Sequence, residues 1–249
     1  MIRGAIFDLG STLVYSEHDH DWAMILPRMR MDLLQHLQSA GYQLDRQRFL
    51  NLLSSKYMDY NDQRQTDWVE YTSAYILRST LAELGAAPPS PSLLEQALQA
   101  YYAYSESLWR PMPGVHETLR ALQAAGHRLA IISNAADDGN VQRLIDNARL
   151  RAYFDPIIVS AAVGIRKPNP KIFDLVLGPW GLAPHECVMV GDTLGADILG
   201  AQFAKMHDVW LTARAGHAAN AAHRGSIIPH HEIASLVELP ALLDGIGSG

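Results

Sequence analysis

A chain of 249 residues that is 48% apolar can bury a sizeable core, in one large domain or two smaller ones. Its net charge of -6 and its lack of any Lys/Arg cluster argue against a nucleic-acid partner, because phosphate contacts need grouped cations. No apolar run approaches the ~18 residues of a membrane span, and the single cysteine, Cys187, excludes an intrachain disulfide.

The chain enters a strand pattern without the features of a secretory leader, so a cytoplasmic location is expected. That first strand is Gly4 to Phe7. It ends in Asp8-Leu9-Gly10-Ser11-Thr12, an acid at a strand tip followed by a polar turn. An aspartate placed there is a candidate nucleophile or metal ligand.

The segment from about Tyr15 to Arg110 has no convincing strand and reads as about four helices. Asp45 is a candidate N-cap with Phe49, Leu50, Leu53 and Tyr57 inward. Thr66 is a candidate cap for a helix ending at Gly85, and Ser90-Pro91 is a good helix start. The expected boundaries are the polar run Ser16-Glu17-His18-Asp19-His20-Asp21 and the turn Arg110-Pro111-Met112-Pro113-Gly114.

Beyond that turn, short apolar runs alternate with helical patterns. The runs are Arg128 to Ile132, Pro156 to Val159, Val188 to Val190 and Val209 to Leu211. The helical patterns are Gly114 to Ala125, Val141 to Leu150, Pro170 to Leu177 and Gly195 to Ala204. Near-continuous apolar strands alternating with helices predict a parallel sheet covered on both faces. In such sheets the ligand site lies at the carboxyl ends of the strands. Cys187, beside Val188-Met189-Val190, reads as a small buried residue rather than a reactive thiol.

Four strand tips carry a consistent set of groups. They are Asp8; Ser133-Asn134; the basic loop Gly164-Ile165-Arg166-Lys167-Pro168; and Gly191-Asp192-Thr193 with Asp197 five residues on. Carboxylates, a hydroxyl, an amide and an ammonium suit phosphoryl transfer assisted by a hard cation such as Mg²⁺.

In motif order and spacing the whole chain resembles the haloacid dehalogenase superfamily of hydrolases, of the subfamily with a helical cap inserted after the first strand. The resemblance implies a Rossmann-like three-layer α/β/α core (1–14 and 111–249) and an all-helical cap (15–110). It implies Asp8 as nucleophile and metal ligand, and Gly10 as a metal ligand through its backbone carbonyl. Ser133 and Asn134 match the phosphate-binding pair, and Lys167 the lysine that neutralises charge. Asp192 and Asp197 match metal-site acids. The implied activity is Mg²⁺-dependent hydrolysis of a small phosphorylated metabolite, with no nucleic-acid or membrane partner. Oligomeric state, monomer or homodimer, stays open.

Gly10 departs from the family pattern, which places an aspartate there as general acid and base. Such a group contributes on the order of 10²–10⁴ in rate. The acid-histidine run Glu17 to Asp21 holds candidate replacements, His18 and His20 among them. Two other readings need no leaving-group acid: a 2-haloacid dehalogenase, and a phosphate-binding regulatory module with little turnover. A phosphonate hydrolase would need a cap lysine, and Lys56 is the only one in the insert. Substrate preference is expected to reside in the cap, whose Trp22, Trp68, Trp109, Arg28, Arg30 and Arg64 are candidates.

Overall fold

The computed structural model describes residues 1–16, 22–214, 216 and 218–246. Strand β1 (Gly4–Phe7) leads to a short strand β2 (Val14–Ser16). Four helices follow: α1 (Trp22–Ser39), α2 (Arg46–Asp67), α3 (Ser73–Glu83) and α4 (Pro91–Glu106). Strand β3 (Trp109–Pro111) returns the chain to α5 (Val115–Ala124), β4 (Arg128–Ser133), α6 (Asp138–Asn147), β5 (Ile157–Val159), α7 (Ser160–Val163) and α8 (Lys171–Trp180). The remaining elements are β6 (Cys187–Gly191), α9 (Leu199–Phe203), β7 (His207–Leu211), α10 (Ala218–Ala221), β8 (His231–Ile233) and α11 (Leu239–Ile246).

Six strands form a parallel sheet in the order β5-β4-β1-β6-β7-β8. Strand periodicity explains its two-sided core. Ala5 and Phe7 of β1, Leu129 and Ile131 of β4, and Val188 and Val190 of β6 pack into one cluster with residues of α5, α6 and α11. The alternate residues Ile6, Ala130, Ile132, Cys187 and Met189 pack on the other face with residues of α8. All are buried, as the apolar runs require. Burial pushes the Cys187 thiol up to about 12, so it packs as an inert apolar group.

Helices α1 to α4 enclose their own apolar cluster, which includes Leu33, Leu37, Phe49, Leu53, Leu77 and Tyr101. Asp45 caps α2 by accepting from the Arg48 N–H at 2.8 Å, and Ser90 caps α4 by accepting from Leu93 N–H at 3.2 Å with Pro91 at the first helical position. Thr66 is not a cap. It lies inside α2, and Thr72 caps α3 by accepting from the Tyr75 N–H at 3.1 Å.

The two chain crossings between the helices and the sheet are paired. β2 and β3 form an antiparallel ribbon in the register Val14↔Pro111, Tyr15↔Arg110 and Ser16↔Trp109. The division expected at residues 14/15 and 110/111 falls inside this ribbon. The ribbon strands Val14–Ser16 and Trp109–Pro111 and the edge strand His231–Ile233 mix polar residues or proline into three positions, so unlike β5 they show no continuous apolar run and are absent from the sequence pattern.

Candidate active site

Asp8 leaves β1 at the point where the chain's successive strands pass to opposite sides of the sheet, with β4 on one flank and β6 on the other. Its N–H donates to the Val190 carbonyl at 3.0 Å, which holds the residue in the line of the sheet. The turn beyond it closes through Ser11, in the left-handed region at φ 61°, whose N–H donates to Val14 at 2.6 Å.

Lys167 is the centre of the arrangement. Its ammonium lies 2.8 Å from Asp8 Oδ1, 2.8 Å from Asp197 Oδ1 and 2.5 Å from the Ile132 carbonyl, so all three donors are used. The side chain is almost wholly buried. Burial alone would depress its pKa, but Asp197 and Asp8 outweigh that and hold the ammonium above its ordinary value. Burial pushes the Asp8 carboxyl up to about 7, with Asp197 and Asp192 adding to the rise and Lys167 opposing it. Burial and then Asp192 also raise Asp197, again against Lys167.

Asp8, Asp192 and Asp197 place carboxylate oxygens within 4.8 Å of one another, all buried. One ammonium cannot neutralise three ionised carboxylates, and the raised pKa values of Asp8 and Asp197 reflect that excess of buried acid. A hard divalent cation with oxygen ligands fits that donor set.

Backbone geometry builds the cluster. After β6 the chain turns through a wide π-type turn, Leu194–Ile198. There the Thr193 carbonyl accepts from Asp197 N–H at 2.8 Å and from Ile198 N–H at 3.4 Å. The helix expected from Gly195 thus begins as a π turn, a form common at functional sites. It swings Asp197 back beside Lys167, and Asp197 Oδ2 accepts from Thr193 N–H at 2.9 Å. Gly191 is required here, because a Cβ on it would stand 2.3 Å from Asp197 Cγ.

Ser133 ends β4 and, with Asn134, lines the same cavity of about 660 Å³. The Asn134 amide is committed to Lys167: Oδ1 accepts from its N–H and Nδ2 donates to its carbonyl, each at 2.9 Å. Gly10 also lines the cavity, facing the Trp109 indole, which a Cβ at Gly10 would meet at 3.6 Å. Among the described residues, His223 is the one imidazole on the cavity wall. Glu17 to Asp21, with His18 and His20, lie outside the described residues.

Three residues with structural duties here escape a sequence reading. Asn220, fully buried in α10, accepts from Leu194 N–H at 2.8 Å and donates to the Asp192 carbonyl at 2.9 Å. Trp210 Nε1 donates to that same carbonyl at 2.8 Å. Glu70 joins the cap to the loop before Lys167. No local signal marks them, because each acts through a partner far along the chain.

Most of the cap candidates are occupied elsewhere. Lys56 pairs with Glu83 at 2.9 Å, and Arg28 stacks over Tyr104 at 4.2 Å. Trp68 packs against Phe203, with ring centroids 6.0 Å apart. Tyrosines stack on one another, as in Tyr57–Tyr101 and Tyr60–Tyr71. Trp109 alone of the named cap aromatics lines the cavity, joined by Gln65 of α2.

A family model described as haloacid dehalogenase-like hydrolase matches residues 2–205. The chain belongs to that family. Among similar proteins, the hydrolase is 27% identical over 210 residues to a glyceraldehyde 3-phosphate phosphatase of Pyrococcus furiosus, covering 84% of this chain and 80% of that one. It is 31% identical over 200 residues to a pyrimidine 5'-nucleotidase of Escherichia coli, covering 75% and 82%. Its fold matches a 2-haloacid dehalogenase from Pseudomonas syringae with TM-score 0.68 at 24% identity, covering 98% of this chain and 99% of that one. A phosphatase from Thermococcus onnurineus matches with TM-score 0.62, also at 24% identity and with coverage of 98% and 99%. No helix among the described residues is long and apolar enough to cross a membrane.

Proposed function

We propose that this hydrolase is a Mg²⁺-dependent phosphoric monoester hydrolase acting on a small phosphorylated metabolite. The observation that carries the reading is the buried ion cluster, with Lys167 2.8 Å from both Asp8 and Asp197 and Asp192 completing the three carboxylates. Asp8, Asp192, Asp197 and the Gly10 carbonyl would hold the cation, which supplies charge neutralisation at the phosphoryl oxygens.

Asp8 attacks phosphorus in line, and the ester P–O bond breaks as the acyl phosphate forms. Lys167 and the Ser133 hydroxyl stabilise the charge that spreads over the phosphoryl oxygens. Asn134 fixes the Lys167 backbone, which keeps the ammonium aimed at Asp8. Water then attacks the same phosphorus, releasing inorganic phosphate and restoring the Asp8 carboxylate. With glycine at position 10, no side chain there protonates the leaving oxygen or activates that water, so turnover on ordinary esters is slow.

A 2-haloacid dehalogenase would also use an aspartate nucleophile and need no leaving-group acid, but that chemistry has no use for three clustered carboxylates. The test is phosphate release from phosphorylated metabolites and acetyl phosphate, with Mg²⁺ and with EDTA, beside Asp8→Asn. Release should require Mg²⁺ and fall at least about 10³-fold in the variant. Release that survives Asp8→Asn overturns the mechanism, and halide release from a 2-haloacid without phosphate release favours the dehalogenase.

A further inference from the structure

Glu70 belongs to the loop between α2 and α3, yet its carboxylate is completely buried against the α/β core. Its Oε2 accepts from Ser160 Oγ at 2.7 Å, and Ser160 Oγ in turn accepts from the Ala135 N–H at 2.9 Å. Arg64 of the cap lies 3.1 Å from Oε1, and Arg166 of the core lies 3.7 Å from Oε2. The backbone is stitched as well. Glu70 N–H donates to the Gly164 carbonyl at 3.0 Å, and Arg166 N–H donates to the Trp68 carbonyl at 3.1 Å.

The two core loops held by this carboxylate are the two that carry phosphate-handling groups. Ala135 follows Ser133 by two residues, and Arg166 immediately precedes Lys167. The Asn134 amide closes the circuit by binding the Lys167 backbone. A seam that served only to attach the cap could be apolar, which avoids the desolvation cost of a buried carboxylate. A carboxylate that accepts directionally from a serine hydroxyl and lies between two guanidinium groups specifies one geometry instead.

We propose that Glu70 is a positioning residue: seating its carboxylate on Ser160 and Arg166 fixes Ser133 and Lys167 in the register that phosphoryl transfer needs. Full catalytic order in the core then exists only while the cap is docked. This inference rests on the phosphatase reading.

The experiment compares full-length wild type with Glu70→Gln and Glu70→Ala. Amide hydrogen exchange at Ala135 and Arg166 is followed beside β1 and β6 amides, together with kcat and KM for p-nitrophenyl phosphate with Mg²⁺. Glu70→Gln keeps shape and one acceptor, so it guards against simple misfolding. In Glu70→Ala, exchange should quicken at the two loop amides and not in β1 or β6. Its kcat should drop about 10–100-fold with KM little changed, as expected for misplaced reacting groups. Glu70→Gln should fall between. Unchanged exchange at both amides, uniformly faster exchange, or loosened loops with wild-type kcat would each overturn the proposal. Absence of phosphate release by the wild type refutes the phosphatase reading separately, and the exchange data still decide whether Glu70 holds the two loops.

Discussion

Gly10 leaves the wall beside Asp8 without a side chain, and the Trp109 indole faces the space above it. A Cβ at Gly10 would make ordinary contact with the ring at 3.6 Å, so the backbone accepts a larger residue. Gly10→Asp should therefore fold normally. A working acid there would raise turnover on poor leaving groups by up to about 10²–10⁴, and the gain should be larger in Gly10→Asp/Trp109→Leu, where the indole no longer crowds the carboxylate. Steady-state rates on an alkyl phosphate and on p-nitrophenyl phosphate measure this, and equal gains on both would mean that the new group is not protonating the leaving oxygen. Asp8, Ser133 and Asp192 were legible in the sequence because each closes an apolar run, whereas Lys167 lies beyond β5 and α7, and Asp197 beyond Thr193, so motif spacing alone singled them out. Asn134 was legible as a polar site residue, but its commitment to Lys167 was not. Glu70, Asn220 and Trp210 were invisible as site-shaping residues, since their partners are fixed only by the fold.

At the scale of elements, continuous apolar runs were readable, and pieces with mixed or irregular patterning were not. The core strands of the parallel sheet and the caps Asp45 and Ser90 follow from periodicity and capping chemistry. The ribbon, β8 and the π turn do not, because each depends on tertiary contacts rather than local preference. Thr66 and Thr72 are both plausible caps in sequence, and only packing decides that α2 continues through the first. The short helix α10 matters more than its length suggests, since Asn220 ties it to the Asp192 loop through two buried hydrogen bonds. Asn220→Ala should cost about 1–3 kcal/mol in urea unfolding and weaken divalent-cation binding. Unaltered cation affinity in a destabilised variant would show that the loop keeps its shape without this tie.

For the molecule as a whole, the three buried carboxylates around one lysine store repulsion that a bound cation relieves. Mg²⁺ at a hundredfold excess over Kd should add about 2.7 kcal/mol, or roughly 5–10 °C in thermal midpoint for a chain of this size. Asp192→Asn should shrink that shift and raise the midpoint without metal. A midpoint in the wild type that ignores Mg²⁺ would argue against the cation site. The paired crossings β2 and β3 carry a different consequence. Because Ser16 and Trp109 face each other across the ribbon, the two chain ends that border the insert are already neighbours in space. A two-residue hairpin turn between them would bridge the gap and excise the whole insert in one cut. The remaining chain keeps both apolar layers of the sheet, since the insert's apolar cluster is its own. Such a minimal scaffold, with the Ser160–Arg166 seam now facing water, would be open to grafting an unrelated helical module onto the same pair of strands.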